Sequence, residues 1–208
     1  MRVKREKGDV KDMSRKLLIV IDVQKDFVEG GALPYGYPFE SNTQKVVDFA
    51  RAWAKDEDHQ DVRLMFGTQD THDFDYADTL EGNKLPVEHC RKNTVGWQFV
   101  DATDKDAGLE WWCEEVFLKP TFGTFKIKDA IEQFEKVECE TIKERYLVGY
   151  DLAVCVLANA VILRAAFPNK KIAVFTDLCG CINKETFDVA CKVLTCQQID
   201  LINSTELR

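Results

Sequence analysis

The sequence predicts an α/β protein, a three-layer α/β/α sandwich around a mostly parallel six-stranded sheet. Apolar runs of strand length alternate about six times with helix-period segments. That alternation produces parallel strands joined by crossover helices, which cover both faces of the sheet. The first run, Lys16-Leu17-Leu18-Ile19-Val20-Ile21-Asp22-Val23, lacks polar alternation, so it is buried on both faces and lies centrally. With 208 residues, 45% of them hydrophobic, the chain has enough apolar material for one substantial core.

The remaining elements follow in order. Ser41 reads as the N-cap of a helix carrying Val46, Val47, Phe49, Ala50 and Trp53, and residues 63–68 read as the second strand. Residues 70–113 read as a long loop, and a stretch of that length inside a compact domain is more often functional than idle. The third strand falls at 115–118, a short helix at 130–134 and the fourth strand at 146–150, leading into a helix over 154–163. A fifth strand at 171–176, a helix at 185–194 and a last strand at 199–202 complete the pattern. Residues 1–15, highly charged and without periodicity, read as a mobile extension preceding a single domain over 16–208.

Charge and composition exclude several classes of function. A net charge of -8 argues against a nucleic-acid partner, which selects for a basic face. No apolar run reaches the length of a membrane span, and Met1-Arg2-Val3-Lys4-Arg5-Glu6-Lys7 lacks the apolar core of a signal peptide, so the expectation is a cytoplasmic protein. The 8 cysteines then read as reduced thiols. Cys179 and Cys181 flank one glycine, but a zinc ribbon needs two such pairs.

Ligands of such folds bind beyond the carboxyl ends of the strands. Asp22, Asp70, Lys119, Cys155 and Asp177 all fall at strand ends and are expected to face one edge. Cys155 opens a helix, where unpaired backbone N–H groups favour thiolate and lower the thiol pKa; the plainer alternative is a small core residue. A carboxylate at Asp22 can accept the thiol proton and an ammonium at Lys119 can stabilise the anions, so the three form a nucleophile set. Asp22 interrupts an apolar strand, where an unpaired charge costs several kcal/mol, so it calls for a cationic or hydrogen-bonding partner.

A second cluster lies in the long loop. Asp70-Thr71-His72 with His89 offers one oxygen and two imidazoles, a set suited to Zn, Mn or Fe with positions left open. Cys90 beside His89 reads as packing, and His59 as surface. Asp73, Asp75 and Asp78 read as an acidic solvated loop, with Asp78 the best placed of them for a metal-bound water.

Ile21-Asp22-Val23-Gln24-Lys25-Asp26-Phe27-Val28-Glu29-Gly30-Gly31-Ala32-Leu33 resembles the opening D-x-Q-x-D-F…G-G-x-L of the isochorismatase-like cysteine hydrolases, which include the nicotinamidases and pyrazinamidases. Thr68-Gln69-Asp70-Thr71-His72, Leu85-Pro86-Val87-Glu88-His89-Cys90, Phe117-Leu118-Lys119-Pro120 and residues 149–156 continue the match in family order, so the resemblance covers the chain from about Lys16 onward. It implies a Rossmann-type fold with Cys155 as nucleophile, Asp22 as general base and Lys119 as third member of the triad. In the nicotinamidase branch, Asp70, His72 and His89 would hold one divalent metal, zinc foremost and Mn or Fe otherwise, that binds the pyridine nitrogen. Backbone N–H groups of Asp151 and Cys155 would form the oxyanion hole, with Phe27 stacking on an aromatic substrate. Leu85 takes a position where nicotinamidases often carry an aromatic residue, and Leu152 and Ala153 stand where many members carry threonine and aspartate.

The resemblance therefore implies a metal-containing cysteine amidohydrolase converting nicotinamide and water to nicotinate and ammonia through a thioester on Cys155. The alternatives are the same triad acting on another small amide or carbamoyl compound, and a non-catalytic metal- or ligand-binding homologue. The expected partner is a small-molecule amide, and the apolar helix after Cys155 leaves room for a homo-oligomer interface.

Overall fold

The computed structural model describes residues 14–37, 42–55, 61–103 and 108–207. Ser41, His59 and residues 1–13 of the expected extension lie outside them. Six strands, β1 (Ser14–Ile21), β2 (Asp61–Asp70), β3 (Glu115–Lys119), β4 (Ile142–Gly149), β5 (Lys171–Cys179) and β6 (Asp200–Ile202), form one sheet in the order β3-β2-β1-β4-β5-β6. Every pairing is parallel. β1 begins inside the segment read as an extension, because Ser14 and Arg15 pair with Asp61 and Val62 of β2. Arg15 is fixed there by an ion pair with Glu140 and by the Phe134 ring, 5.1 Å from its guanidinium.

The connecting helices are α1 (Asn42–Lys55), the short α2 (Leu80–Lys84), α3 (Lys126–Glu138), α4 (Leu157–Ala166) and α5 (Lys184–Cys196). Leu17, Ile19 and Ile21 of β1 face one layer with Ile131 of α3, Leu163 of α4 and Leu194 of α5. Leu18 and Val20 face the other, with Val46, Val47, Ala50 and Trp53 of α1. All these β1 side chains are fully buried, which is why that segment carries no polar face. Each such side chain contributes about 1.5–3 kcal/mol of burial free energy. Among the described residues no helix is long and apolar enough to cross a membrane.

The long loop holds more structure than its sequence suggests. Short helical turns at Tyr76–Asp78 and Gly108–Trp112 and the helix α2 lie within it, and isolated bridges join His72 to Arg91 and Gln24 to Phe99. Apolar anchors hold the segment down: Tyr76, Cys90, Phe99 and Leu109 are buried.

Strand order reverses between β1 and β4, whose carboxyl ends lie side by side. This switch point is where doubly wound sheets form their ligand crevice. Gly149 lets the chain turn there: its φ is +120°, and a Cβ on it would meet Ile21 O at 2.0 Å. The next residue donates Tyr150 N–H to Ile21 O at 2.9 Å. Gly149→Ala is expected to lose about 2–3 kcal/mol of unfolding free energy in a denaturant titration, from a forbidden backbone conformation and a displaced β1 end.

Candidate active site

Cys155 lies in a single π-helical turn, Leu152–Val156, between β4 and α4. It does not stand at the first turn of a regular α-helix. Such turns recur at functional sites. The thiol is buried, and burial pushes its pKa well above the ordinary thiol range, with Lys119 acting in the opposite direction. The expected lowering is therefore corrected: loss of water around Sγ, with Asp22 and Asp70 nearby, outweighs the Lys119 charge. At rest the group is a protonated thiol.

Its neighbours come from the ends of β1 and β3. Lys119 Nζ lies 2.6 Å from Asp22 Oδ2, 3.5 Å from Cys155 Sγ and 3.8 Å from Asp70 Oδ1, and donates to Thr121 O at 3.0 Å. Asp22 Oδ2 and the ammonium thus form an ion pair between two buried groups. The other oxygen, Oδ1, accepts the Thr68 hydroxyl at 2.7 Å, and the Asp22 backbone adopts φ +49°. Burial raises the Asp22 pKa, and Lys119 offsets this only in part. For Lys119 itself burial disfavours the charge, but Asp22, Cys155 and Asp70 outweigh it and hold the pKa above the ordinary lysine value.

Asp70, His72 and His89 are buried, and their ligand atoms all lie within 4.8 Å of one another. Both imidazoles turn Nε2 toward Asp70 Oδ2, at 3.0 Å for His72 and 3.3 Å for His89. His89 Nδ1 donates to Val87 O at 2.8 Å, which fixes the ring with Nε2 turned toward Asp70. Burial works against charge on Asp70, yet hydrogen bonds to His72 and His89 outweigh it and keep the carboxylate pKa below its ordinary value. An ionised carboxylate and two inward imidazoles fit a borderline divalent cation.

The D-x-Q-x-D spacing explains how the two groups meet. Gln24 accepts Asp70 N–H at 2.7 Å and donates to Asp70 O at 2.9 Å, fixing the end of β2 against the residue after Val23. Asp26 accepts Cys90 N–H at 2.7 Å and so holds the backbone beside His89. Alternate residues of one short segment thus supply Asp22 itself, an anchor for Asp70 and an anchor for the backbone beside His89.

Glu81, Thr68 and the Asp151 side chain escaped the sequence reading. Glu81 Oε1 on α2 lies 3.8 Å from the Nε2 atoms of both histidines, and burial raises its pKa. It replaces Asp78 as the nearest additional carboxylate, since Asp78 is exposed on the preceding turn. The only sequence signal was its position between the two histidines. Asp151 is buried and caps the π-helical turn, accepting Ala153 N–H at 2.5 Å, Ile182 N–H at 3.2 Å and Cys181 Sγ at 3.4 Å. It restores a polar anchor to the turn despite Leu152 and Ala153.

Asp177 does not join the edge cluster. It lies within β5, which runs on to Cys179 through a register shift, and its carboxylate accepts Ser204 N–H at 2.8 Å and the Ser204 hydroxyl at 2.5 Å. Phe27 is buried with its ring centroid 5.6 Å from that of His89. Leu85 is half-buried and its carbonyl accepts the Tyr76 hydroxyl at 2.8 Å. Cys90 packs in the core, as expected, and all eight cysteines are free thiols.

A parallel doubly wound sheet with a buried cysteine, aspartate and lysine together at its switch point is an α/β fold with a candidate active site at its ligand crevice. Residues 16–206 match the Isochorismatase domain, and the chain belongs to the isochorismatase family of hydrolases. No curated relative is similar enough in sequence to match. Among solved structures, the Bacillus subtilis nicotinamidase/pyrazinamidase superposes with a TM-score of 0.74 at 20% identity, covering 91% of this chain and 100% of that one. A Pyrococcus horikoshii pyrazinamidase in complex with zinc gives 0.66 at 21% identity, over 90% and 98% of the two chains. An L. infantum protein in complex with nicotinate gives 0.72 at 16% identity, over 95% and 96%. At these identities the likeness speaks for the fold.

Proposed function

We propose that this chain is a metal-containing cysteine amidohydrolase of the nicotinamidase type, converting nicotinamide and water to nicotinate and ammonia in the cytoplasm. One observation carries the reading: a single buried ammonium, Lys119, reaches Asp22, Cys155 and Asp70, so the nucleophile set and the metal-ligand set are parts of one site. Similarity to nicotinamidases and pyrazinamidases supports it.

Cys155 attacks the amide carbon as its proton passes to Asp22. Lys119 stays charged beside both groups and stabilises the anion that either becomes. The amide oxygen gains negative charge and is received by the backbone N–H groups of Asp151 and Cys155; the Asp151 N–H has no hydrogen-bond partner among the described residues. Asp22 then gives its proton to the departing nitrogen, which leaves as ammonia, and the acyl group remains as a thioester on Sγ. A water loses its proton to Asp22 and adds to the thioester, and the acid leaves as Cys155 recovers a proton. A divalent ion on Asp70, His72 and His89, zinc foremost given the zinc-bound relative, would supply a Lewis acid for the substrate's ring nitrogen. Phe27 and Leu85 would bound the ring.

Asp22 must be ionised to accept the thiol proton, and burial raises its pKa. The acid limb of kcat/KM is therefore expected above the ordinary carboxylate range, with activity lost as pH falls through it. A pH-rate profile flat down to that range would contradict the assignment. Asp151→Ala removes the cap and is expected to cost about 1–2 kcal/mol of stability and to lower kcat more than it changes KM, with Asp151→Asn recovering part of both.

The direct test is ammonia release from nicotinamide, beside pyrazinamide, aliphatic amides and carbamoyl compounds, with metal content measured on the same sample. Metal-loaded protein that turns over none of them would establish the non-catalytic homologue instead.

A further inference from the structure

Beside His72 lies a cleft of about 610 Å³, more room than nicotinamide alone fills. His72 and Glu81 line it, as does Thr121, whose carbonyl accepts a hydrogen bond from Lys119 Nζ at 3.0 Å. The lining also includes buried Tyr76, half-buried Leu85 and exposed Leu80 and Phe122. Lys119 Nζ, which Thr121 O holds, also lies 3.5 Å from Cys155 Sγ, so the cleft wall adjoins the nucleophile set. Pockets of this volume hold ligands much larger than a pyridine carboxamide.

The walls define what would fill it. Leu80 and Phe122 are 72% and 45% exposed, and two large apolar side chains on one concave surface gain most by covering a flat apolar group. Exposed Asp73 and Asp75 line the same cleft with one lysine, Lys84, so these side chains carry a net negative charge that favours a positively charged end.

We infer that the preferred substrate is an aromatic amide extended by an apolar, cation-tipped arm that lies in the cleft between Phe122, Leu80 and the carboxylates of Asp73 and Asp75. The inference rests on the amidohydrolase reading for its substrate class. The arm places binding energy remote from the amide, where it can hold the carbonyl at the thiol.

The test uses metal-loaded Cys155→Ala protein and titration calorimetry, so turnover is not needed. The ligands are nicotinamide, and nicotinamides bearing a 4-(aminomethyl)phenyl group at each free ring carbon in turn, with 4-(hydroxymethyl)phenyl isosteres. One regioisomer is expected to bind at least about tenfold tighter than nicotinamide, with the amine preferred over the alcohol about threefold at low salt. Phe122→Ala is expected to remove most of the gain over nicotinamide, and Asp73→Asn with Asp75→Asn to abolish the amine preference. No gain for any isomer, or a gain untouched by Phe122→Ala, overturns the inference. Wild-type ammonia release from nicotinamide is read alongside: its absence with arm binding intact overturns the amidohydrolase reading alone, and its presence with no arm binding overturns the cleft assignment alone.

Discussion

Cys155→Ala is expected to lower kcat for nicotinamide hydrolysis by at least about 10⁴-fold with the fold intact. The side chain removed is small, and its loss leaves a void that costs little stability beside the chemistry it abolishes. No other thiol substitutes for it: Cys90 packs in the opposite core layer, and the Cys181 thiol is engaged with the Asp151 carboxylate. Without Sγ the route through a thioester is closed, and what remains is direct attack by water, for which the site holds no second nucleophile. Alkylation rates are a poor substitute for this experiment. Burial holds the resting thiol protonated, so slow reaction with iodoacetamide is compatible with full activity.

Lys119→Met is expected to damage stability and catalysis together. The side chain is 1% exposed and its ammonium stands between two buried carboxylates, Asp22 at 2.6 Å and Asp70 at 3.8 Å. Removing it leaves Asp22 without its cation, a change that costs about 3–5 kcal/mol in comparable buried pairs. Loss of the charge also raises Asp22 further above its already raised pKa. A carboxyl with a folded-state pKa above its unfolded value stabilises the fold fully at pH below the unfolded value and loses that contribution as pH rises through the folded one. The variant is therefore expected to recover stability as pH falls from neutrality, in denaturant titrations run at a series of pH values. At neutral pH its kcat is expected to fall at least about 10³-fold, because neither the carboxylate nor the nascent thiolate retains its counter-charge. Wild-type stability and turnover in Lys119→Met would remove the ammonium from the account.

The fold was readable because its signals are local. β1 shows five successive fully buried apolar residues, Leu17 to Ile21, and no other common element demands that pattern in so short a segment. Placement of the site was readable for a related reason: Asp22, Asp70 and Lys119 each stand at the end of a parallel strand, and such ends converge. Asp177 broke the rule because β5 continues past it to Cys179, and register shifts leave no sequence mark. Glu81 was hidden because a loop residue meets the histidines only after α2 has folded, through the Thr79 cap that accepts Gly82 N–H at 3.0 Å. The thiol's pKa was misjudged because a helix-end field can be read from position, whereas burial depends on everything packed around it.

These failures concern how the site is supported. Thr68, Gln24, Asp26 and Asp151 each fix a neighbour from a distant part of the chain, and together they set the separations on which the chemistry depends.

The proposed thioester puts the acyl group of an amide substrate on Cys155. It is tested most directly by measuring ammonia release from nicotinamide with metal-loaded wild type and Cys155→Ala side by side, with mass spectrometry of protein quenched during turnover. The account expects steady release by the wild type, none above background by the variant, and any acyl adduct on the peptide that contains Cys155. Release that persists at the wild-type rate in Cys155→Ala would contradict it.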